Sequence, residues 1–393
     1  MISLAQLDLN QKRVLIRVDL NVPLQNGKIT NDARLKAIIP TLKFALNVHA
    51  CVILMSHLGR PEEGVYTEAL SLKPIAERLS ILMNQPVRFV KDWLEGVEVK
   101  PGEIVLCENV RFNIGEKAND LSLSKKMAAL CDIFVMDAFA TAHRAEASTV
   151  GIAQYAPVAA AGLLLSAELT ALEKALRDPK HPVVAVVGGA KVSDKCLLLG
   201  SLLDKVDTLI VGGGLANTFI AAQGYSVGGS LLEPTFIAEA IALLARAKNK
   251  GVQLIVPIDA VVAKTISETA ETRISDLTDI ATDEKILDVG PKTSQLIDAI
   301  IQRAGTIVWN GPLGVFELSS FENGTKRVVD AIANVSAFSL AGGGETLAAI
   351  EKYGVSEKIS YISTGGGAFL EYLEGKTLPA VTMLEARSTL KAD

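Results

Sequence analysis

The stretch AFSLAGGGETLAAIEKYG, residues 337–354, holds the pattern on which the fold turns. An apolar run (AFSL, 337–340) leads into a glycine turn (AGGGET, 341–346), and a helical pattern (LAAIEKYG, 347–354) follows. Strand, turn and helix start in that order aim free N–H groups and a helix dipole at the bend, which suits phosphate. Yet no lysine follows the glycines as in a P-loop, and the next polar residue is Glu345. Such an acid is either a first-turn residue favoured by the dipole or the partner of a cation lying between it and phosphate. Both readings stand at this point.

The same unit recurs along the chain. Apolar runs at 14–19, 51–56, 104–109 and 133–138 precede polar turns in the first half, and runs at 183–187, 208–212, 253–257, 306–310, 337–341 and 361–364 follow in the second. Helical patterns lie between them: Pro74 suits a first helical turn, Ser193 a cap for DKCLLLGSLLDKV, and Gly224, Gly251 and Gly354 helix ends. Pro40 predicts a kinked or split helix over 33–47. Strand–helix alternation means parallel sheet with crossover helices. SAELTALEKALRDPKHP (166–182) reads as an amphipathic helix ending in Asp-Pro and His-Pro, and marks a boundary. The expected fold is α/β: two Rossmann-like, doubly wound parallel-sheet domains, 1–168 and 169–376, joined by an interdomain helix and hinge.

Composition narrows the function classes. A chain of 393 residues with 49% hydrophobic and 21% charged residues fits a soluble two-domain α/β protein. A net charge of −5 argues against a non-specific nucleic-acid binder. Cys51, Cys107, Cys131 and Cys196 are far apart in or beside apolar runs, as reduced core thiols of a cytoplasmic protein would be. The N-terminus lacks the basic-then-apolar order of a secretory signal. Thr149 to Ser166 carries no charge over 18 residues, but its Gln154, Pro157 and alanines suit a buried interdomain connection better than a membrane span.

Ligands of open α/β sheets bind beyond the carboxyl ends of the strands, and the two halves place different chemistry there. The first half has cations: Arg34 after the DLNVP turn of Asp19 and Asn21, His57 and Arg60 in SHLGRP, Arg111 in ENVRF, and His143 with Arg144 in TAHR. Planar guanidinium forks suit carboxylate and phosphate. The second half has glycine turns: GGAK (188–191), GGG (212–214), AGGG (341–344) and TGGG (364–367), with Lys191 and Lys195 on one helical face if a helix begins near Ser193. A polyphosphate-binding lobe and a small-anion lobe together point to phosphoryl transfer, which rests on positioning and charge stabilisation.

At these motifs the chain resembles the phosphoglycerate kinase family. The resemblance runs in order through RVDLNVP (17–23), NDAR (31–34), SHLGRP (56–61), ENVRF (108–112), DAFATAHR (137–144), GGAKVSDK (188–195), VGGGLANTF (211–219), WNGPLGVFE (309–317), AGGGET (341–346) and STGGGA (363–368). It implies a reversible phosphoryl transfer between ATP and the carboxylate of 3-phosphoglycerate, with Mg²⁺ as cofactor, in a cytoplasmic monomer that closes about a hinge. It implies that Asp19, Asn21, Arg34, His57, Leu58, Gly59, Arg60, Arg111 and Arg144 hold phosphoglycerate. Lys195, Gly213, Asn310, Glu317, Gly343, Gly344, Glu345 and Thr346 would hold the nucleotide, with Glu345 serving the metal directly or through water. Arg34, Lys191, Gly344 and Gly367 would act on the transferring group, and residues from about 377 would return to the N-terminal domain.

Three positions depart from the family's usual pattern. Ala140 replaces the glycine of DAFG, Glu146 stands where histidine is frequent, and Glu345 replaces the aspartate of GGGDT. Two other classes compete with the kinase reading. A bilobal solute-binding protein would need export, and would leave the two lysines idle. A nicotinamide-dependent dehydrogenase needs a third glycine where GGGLAN has Asn217.

Overall fold

Five consecutive buried positions from Val14 to Val18 make the strand Arg13–Val18 the centre of the first sheet. The computed structural model describes residues 1–25 and 27–389. In spatial order the sheet runs Val87–Val90, Ile104–Cys107, Cys51–Met55, Arg13–Val18, Ile133–Asp137, Val158–Ala161, and every pairing is parallel. The chain leaves Arg13–Val18 to one side and later returns on the other, so the strand order switches there. Continuous apolar runs are what a sheet covered on both faces requires. Helices supply the cover, and Val14, Ile16, Leu54, Leu79 and Leu106 are among the buried core.

Local chemistry sets the helix bounds. Pro40 sits in the first turn of Ile39–Asn47, and the preceding helix Ala33–Ala37 ends at Ile38. Pro74 starts Lys73–Met83, which closes on Asn84 in the left-handed region. This unit comprises Met1–Leu169 together with Thr377–Asp393. The helix Pro379–Thr389 belongs to it: the Ala380 N–H donates to the Ala142 carbonyl at 3.1 Å, and Arg387 donates to the Ala156 carbonyl at 2.7 Å. Residues 390–393, the end of the returning segment, lie outside the described residues.

The second unit, Thr170–Lys376, has its own six-stranded parallel sheet. The order is Gln253–Ile255, Thr208–Val211, Val183–Val187, Thr306–Asn310, Phe338–Gly342, Tyr361–Ser363. The switch falls between Val183–Val187 and Thr306–Asn310, where a doubly wound sheet opens its ligand crevice. Val184, Val186, Ile307, Trp309 and Val329 lie in its core. The boundary between the units falls inside the helix Leu163–Leu176.

Three expectations need correction. The uncharged stretch 149–166 is more than a connection, because it supplies the edge strand Val158–Ala161. Among the described residues no helix is long and apolar enough to cross a membrane. Ser193 caps no helix: its hydroxyl donates to Glu233 at 2.7 Å, and the helix starts at Cys196. Lys191 and Lys195 therefore lie in a loop and at its end, not on one helical face. Finally, the second unit is not parallel sheet alone: it carries a three-stranded antiparallel sheet (Asp259–Ala263, Arg273–Asp276, Lys285–Val289).

Candidate functional site

In the first unit, four loops follow neighbouring strand ends. Asp19 and Asn21 come after Arg13–Val18, His57 to Arg60 after Cys51–Met55, Arg111 after Ile104–Cys107, and Arg144 after Ile133–Asp137. Asn109 clamps the second loop by accepting from the Leu58 N–H at 3.2 Å and donating to the Leu58 and Leu70 carbonyls at 2.8 and 2.9 Å. Asn21 Oδ1 accepts from the Gly59 N–H at 2.9 Å. Arg34 donates to Asp19 at 2.6 Å and to the Asn21 carbonyl at 3.1 Å.

Charge in this site is partly cancelled from within. Arg34 pairs with Asp19, and Arg111 donates to the Gly59 carbonyl at 2.7 Å and to Glu146 at 3.2 Å. Glu146, the departure from the family's frequent histidine, thus neutralises a buried arginine. Arg60 is exposed, Arg144 donates to His143 at 3.2 Å, and neither has a carboxylate partner among the described residues. Burial, then Arg17, Arg111, Arg144 and Arg34, hold His57 well below the ordinary histidine range. The same interactions show that these side chains converge. The cluster can hold a small polyanion by guanidinium forks and N–H donors.

Sequence reasoning missed what lies beneath. Arg17 is fully buried and touches both Ser148 and His57. Glu116 is also fully buried, accepts from the Ser148 N–H at 3.0 Å, and burial pushes its carboxyl up to about 7. Arg17, set between Ile16 and Val18 in the apolar part of RVLIRV, was the signal available.

In the second unit the glycine loops pack against one another. A Cβ at Gly188 would fall 1.8 Å from the Pro312 carbonyl oxygen, and one at Gly213 (φ +66°) would fall 2.8 Å from that of Gly189. Bare backbone lets GGAK, VGGGL and NGPLG meet beside the strand switch. The helices Gly214–Ala222 and Gly344–Tyr353 begin there. Asn310 donates to the Gly342 carbonyl at 2.7 Å and accepts from Lys195; Thr346 accepts from the Gly311 N–H at 2.7 Å. Burial lowers the Lys195 pKa, and Glu345 is the largest opposing influence.

Beside these groups a pocket of about 290 Å³ is lined by Gly213, Ala216, Pro312, Leu313, Glu317 and Glu345, among others. Apolar walls with a few polar groups suit a flat heterocycle. Of the expected nucleotide residues, Gly213, Glu317 and Glu345 line the pocket; Lys195, Asn310 and Thr346 form a hydrogen-bonded neighbourhood at its side, and a Cβ at Gly343 would meet the Asn310 amide at 2.5 Å. Lys191 is exposed and acts on Glu233; Gly344 and Gly367 are exposed first residues of their helices. Among the described residues there is no cluster of three or more metal-ligating acids, histidines or cysteines. The Glu345 carboxylate, which acts on Lys195, suits Mg²⁺, which takes one or two carboxylates and otherwise phosphate oxygens and water.

Comparison with known proteins identifies the family. The family model described as phosphoglycerate kinase matches residues 4–376. A phosphoglycerate kinase of Legionella pneumophila is 58% identical over 388 residues, covering 99% of this chain and 98% of that one. One of Francisella tularensis subsp. tularensis is 57% identical over 387 residues, 98% and 99% of the two chains. The structure of phosphoglycerate kinase from Coxiella burnetii superposes with a TM-score of 0.96 at 53% identity, covering 98% of this chain and 99% of that one. These likenesses lead to one conclusion: the chain is a kinase of the phosphoglycerate kinase family.

Proposed function

We propose that the chain transfers a phosphoryl group reversibly between ATP and the carboxylate of 3-phosphoglycerate, with the residue roles set out below. The observation that carries these roles is the pairing of chemistries at strand ends: convergent arginines with His57 in one unit, glycine loops with Lys195 and a pocket in the other. Asp19, Asn21, Gly59 and Leu58 shape the anion site. Arg60, Arg111, Arg144 and His57 hold the phosphoglycerate, and Arg34 faces its reacting carboxylate. Gly213 and Glu317 border the base and ribose, Asn310, Gly343 and Thr346 order the phosphate turn, and Lys195 meets nucleotide phosphate. Lys191, exposed on its loop, and the N–H groups of Gly344 and Gly367 serve the moving group.

The nucleophile explains the absence of a histidine base from these roles. A carboxylate is ionised at pH 7, so one of its oxygens attacks the γ-phosphorus directly and ADP leaves. What the protein supplies is alignment and positive charge for the equatorial oxygens. Mg²⁺, when bound with the nucleotide, neutralises phosphate charge, and Glu345 would hold it. Because the two ligands belong to separate units, transfer requires hinge closure in the region of 166–182. The enzyme acts as a cytoplasmic monomer on these small molecules, with neither nucleic acid nor membrane as partner; the buried free thiols of Cys51, Cys107 and Cys131 fit a reducing compartment.

A coupled assay tests the reading. ATP and 3-phosphoglycerate together should drive oxidation of a reduced nicotinamide by an acyl-phosphate-consuming dehydrogenase. ATP consumption that ignores 3-phosphoglycerate would remove the substrate assignment.

A further inference from the structure

Behind the basic loops, Arg17 is a buried cation to which phosphoryl transfer gives no task. Its Nε donates to Ser148 Oγ at 2.9 Å, one terminal nitrogen donates to the Val18 carbonyl, and the other lies 3.2 Å from His57 Nδ1. A guanidinium has five N–H donors and no acceptor. The imidazole must therefore accept in this contact. That leaves Nδ1 bare and puts the ring proton on Nε2, which makes no hydrogen bond to a described residue. A second proton, on Nδ1, would meet the guanidinium N–H head-on. Burial and four surrounding arginines disfavour the imidazolium as well.

Arg17 is itself held in place. Ser148 Oγ accepts from Arg17 and donates to Glu116, whose carboxyl also accepts from the Ser148 N–H at 3.0 Å. Arg17, Ser148 and Glu116 form a chain ending on the buried Nδ1 of the ring. This matters because a ring free to tautomerise would spend part of its time presenting a lone pair to an anionic ligand.

We propose that Arg17 is a positioning residue for the reaction: braced by Ser148 and Glu116, it fixes His57 as the neutral Nε2–H tautomer, so that the ring offers phosphoglycerate a single directed N–H donor. The proposal rests on His57 being a phosphoglycerate ligand, but the tautomer belongs to the free enzyme and is measured there.

The experiment uses the full chain labelled with ¹⁵N-histidine and a long-range ¹H–¹⁵N spectrum at pH 7.5, with His57 assigned among the four histidines by its loss in His57→Gln. Nδ1 should show the shift of a bare acceptor and Nε2 that of an N–H. The second arm combines Arg17→Met with Glu116→Gln, which removes both buried charges together and so avoids stranding either. In that variant the ring should average between tautomers, and KM for 3-phosphoglycerate should rise about twofold, the cost of binding through only one of two comparably populated tautomers, with KM for ATP unchanged. Should the double variant fail to fold, Ser148→Ala serves instead, with the same directions and smaller size. A wild-type ring protonated at Nδ1 overturns the proposal, as does a variant that keeps both tautomer and KM. A shifted tautomer with unchanged KM overturns its link to substrate, and separately removes His57 as a ligand.

Discussion

Asp19 holds Arg34 in place with a 2.6 Å contact, and the Arg34 side chain remains about one-third exposed. That is the condition of a preorganised charge: ordered, yet free to meet an incoming anion. Arg34→Ala should lower kcat by about 10²-fold or more, and near-normal turnover in steady-state kinetics would strip it of the role. The lysines differ in their surroundings, since Lys195 donates to Asn310 while Lys191 is exposed. Lys195→Ala should weaken nucleotide binding by titration, whereas Lys191→Ala should lose kcat with nucleotide affinity kept. The reverse pattern would refute this division. Glu345 sits in a helical first turn and also acts on Lys195. Glu345→Gln should raise the Mg²⁺ concentration needed for half-maximal activity and Glu345→Asp should preserve it; an unchanged Mg²⁺ dependence in Glu345→Gln would leave only the helix-start role.

Strand Lys285–Val289 and helix Asn323–Asn334 are joined through Asp288, which accepts from the Gly324 N–H at 2.7 Å and the Val289 N–H at 2.9 Å. Burial wins over both N–H groups and pushes this carboxyl up to about 7. The folded state then binds the proton more tightly than the unfolded chain, so stability from this group falls as pH rises from about 4 to about 7. In urea unfolding, the stability of the wild type relative to Asp288→Asn should decline across that window. A flat difference would show that Asp288 is ionised in the fold. The sequence showed the strands that both sheets bury, because VVAVV and CVILM have no polar residue to confuse them. It hid Val158–Ala161, since alanine has little preference for strands, and it hid the antiparallel sheet, whose Arg273–Asp276 strand is mostly polar and exposed. The candidate site was legible at the loops that follow strand ends, where arginines and glycines gather. Its supports were not: Arg17, Glu116 and Ser148 look like surface residues until the fold buries them.

The proposed assignment of one ligand to each unit makes whole-molecule motion part of the proposed reaction. Small-angle scattering should show compaction when nucleotide and 3-phosphoglycerate are present together, and less with either alone; an unchanged radius of gyration would contradict closure on ligand binding. The central claim, that the two sites exchange one phosphoryl group with a carboxylate and without a protein base, has a direct measurement. ³¹P NMR of the enzyme with Mg²⁺, ADP and 1,3-bisphosphoglycerate, the downhill direction of the same reversible step, should show the acyl-phosphate signal giving way to the γ-phosphate of ATP and 3-phosphoglycerate, with no matching growth of inorganic phosphate. Inorganic phosphate as the first product, or loss of the ester phosphate in place of the acyl phosphate, would contradict it.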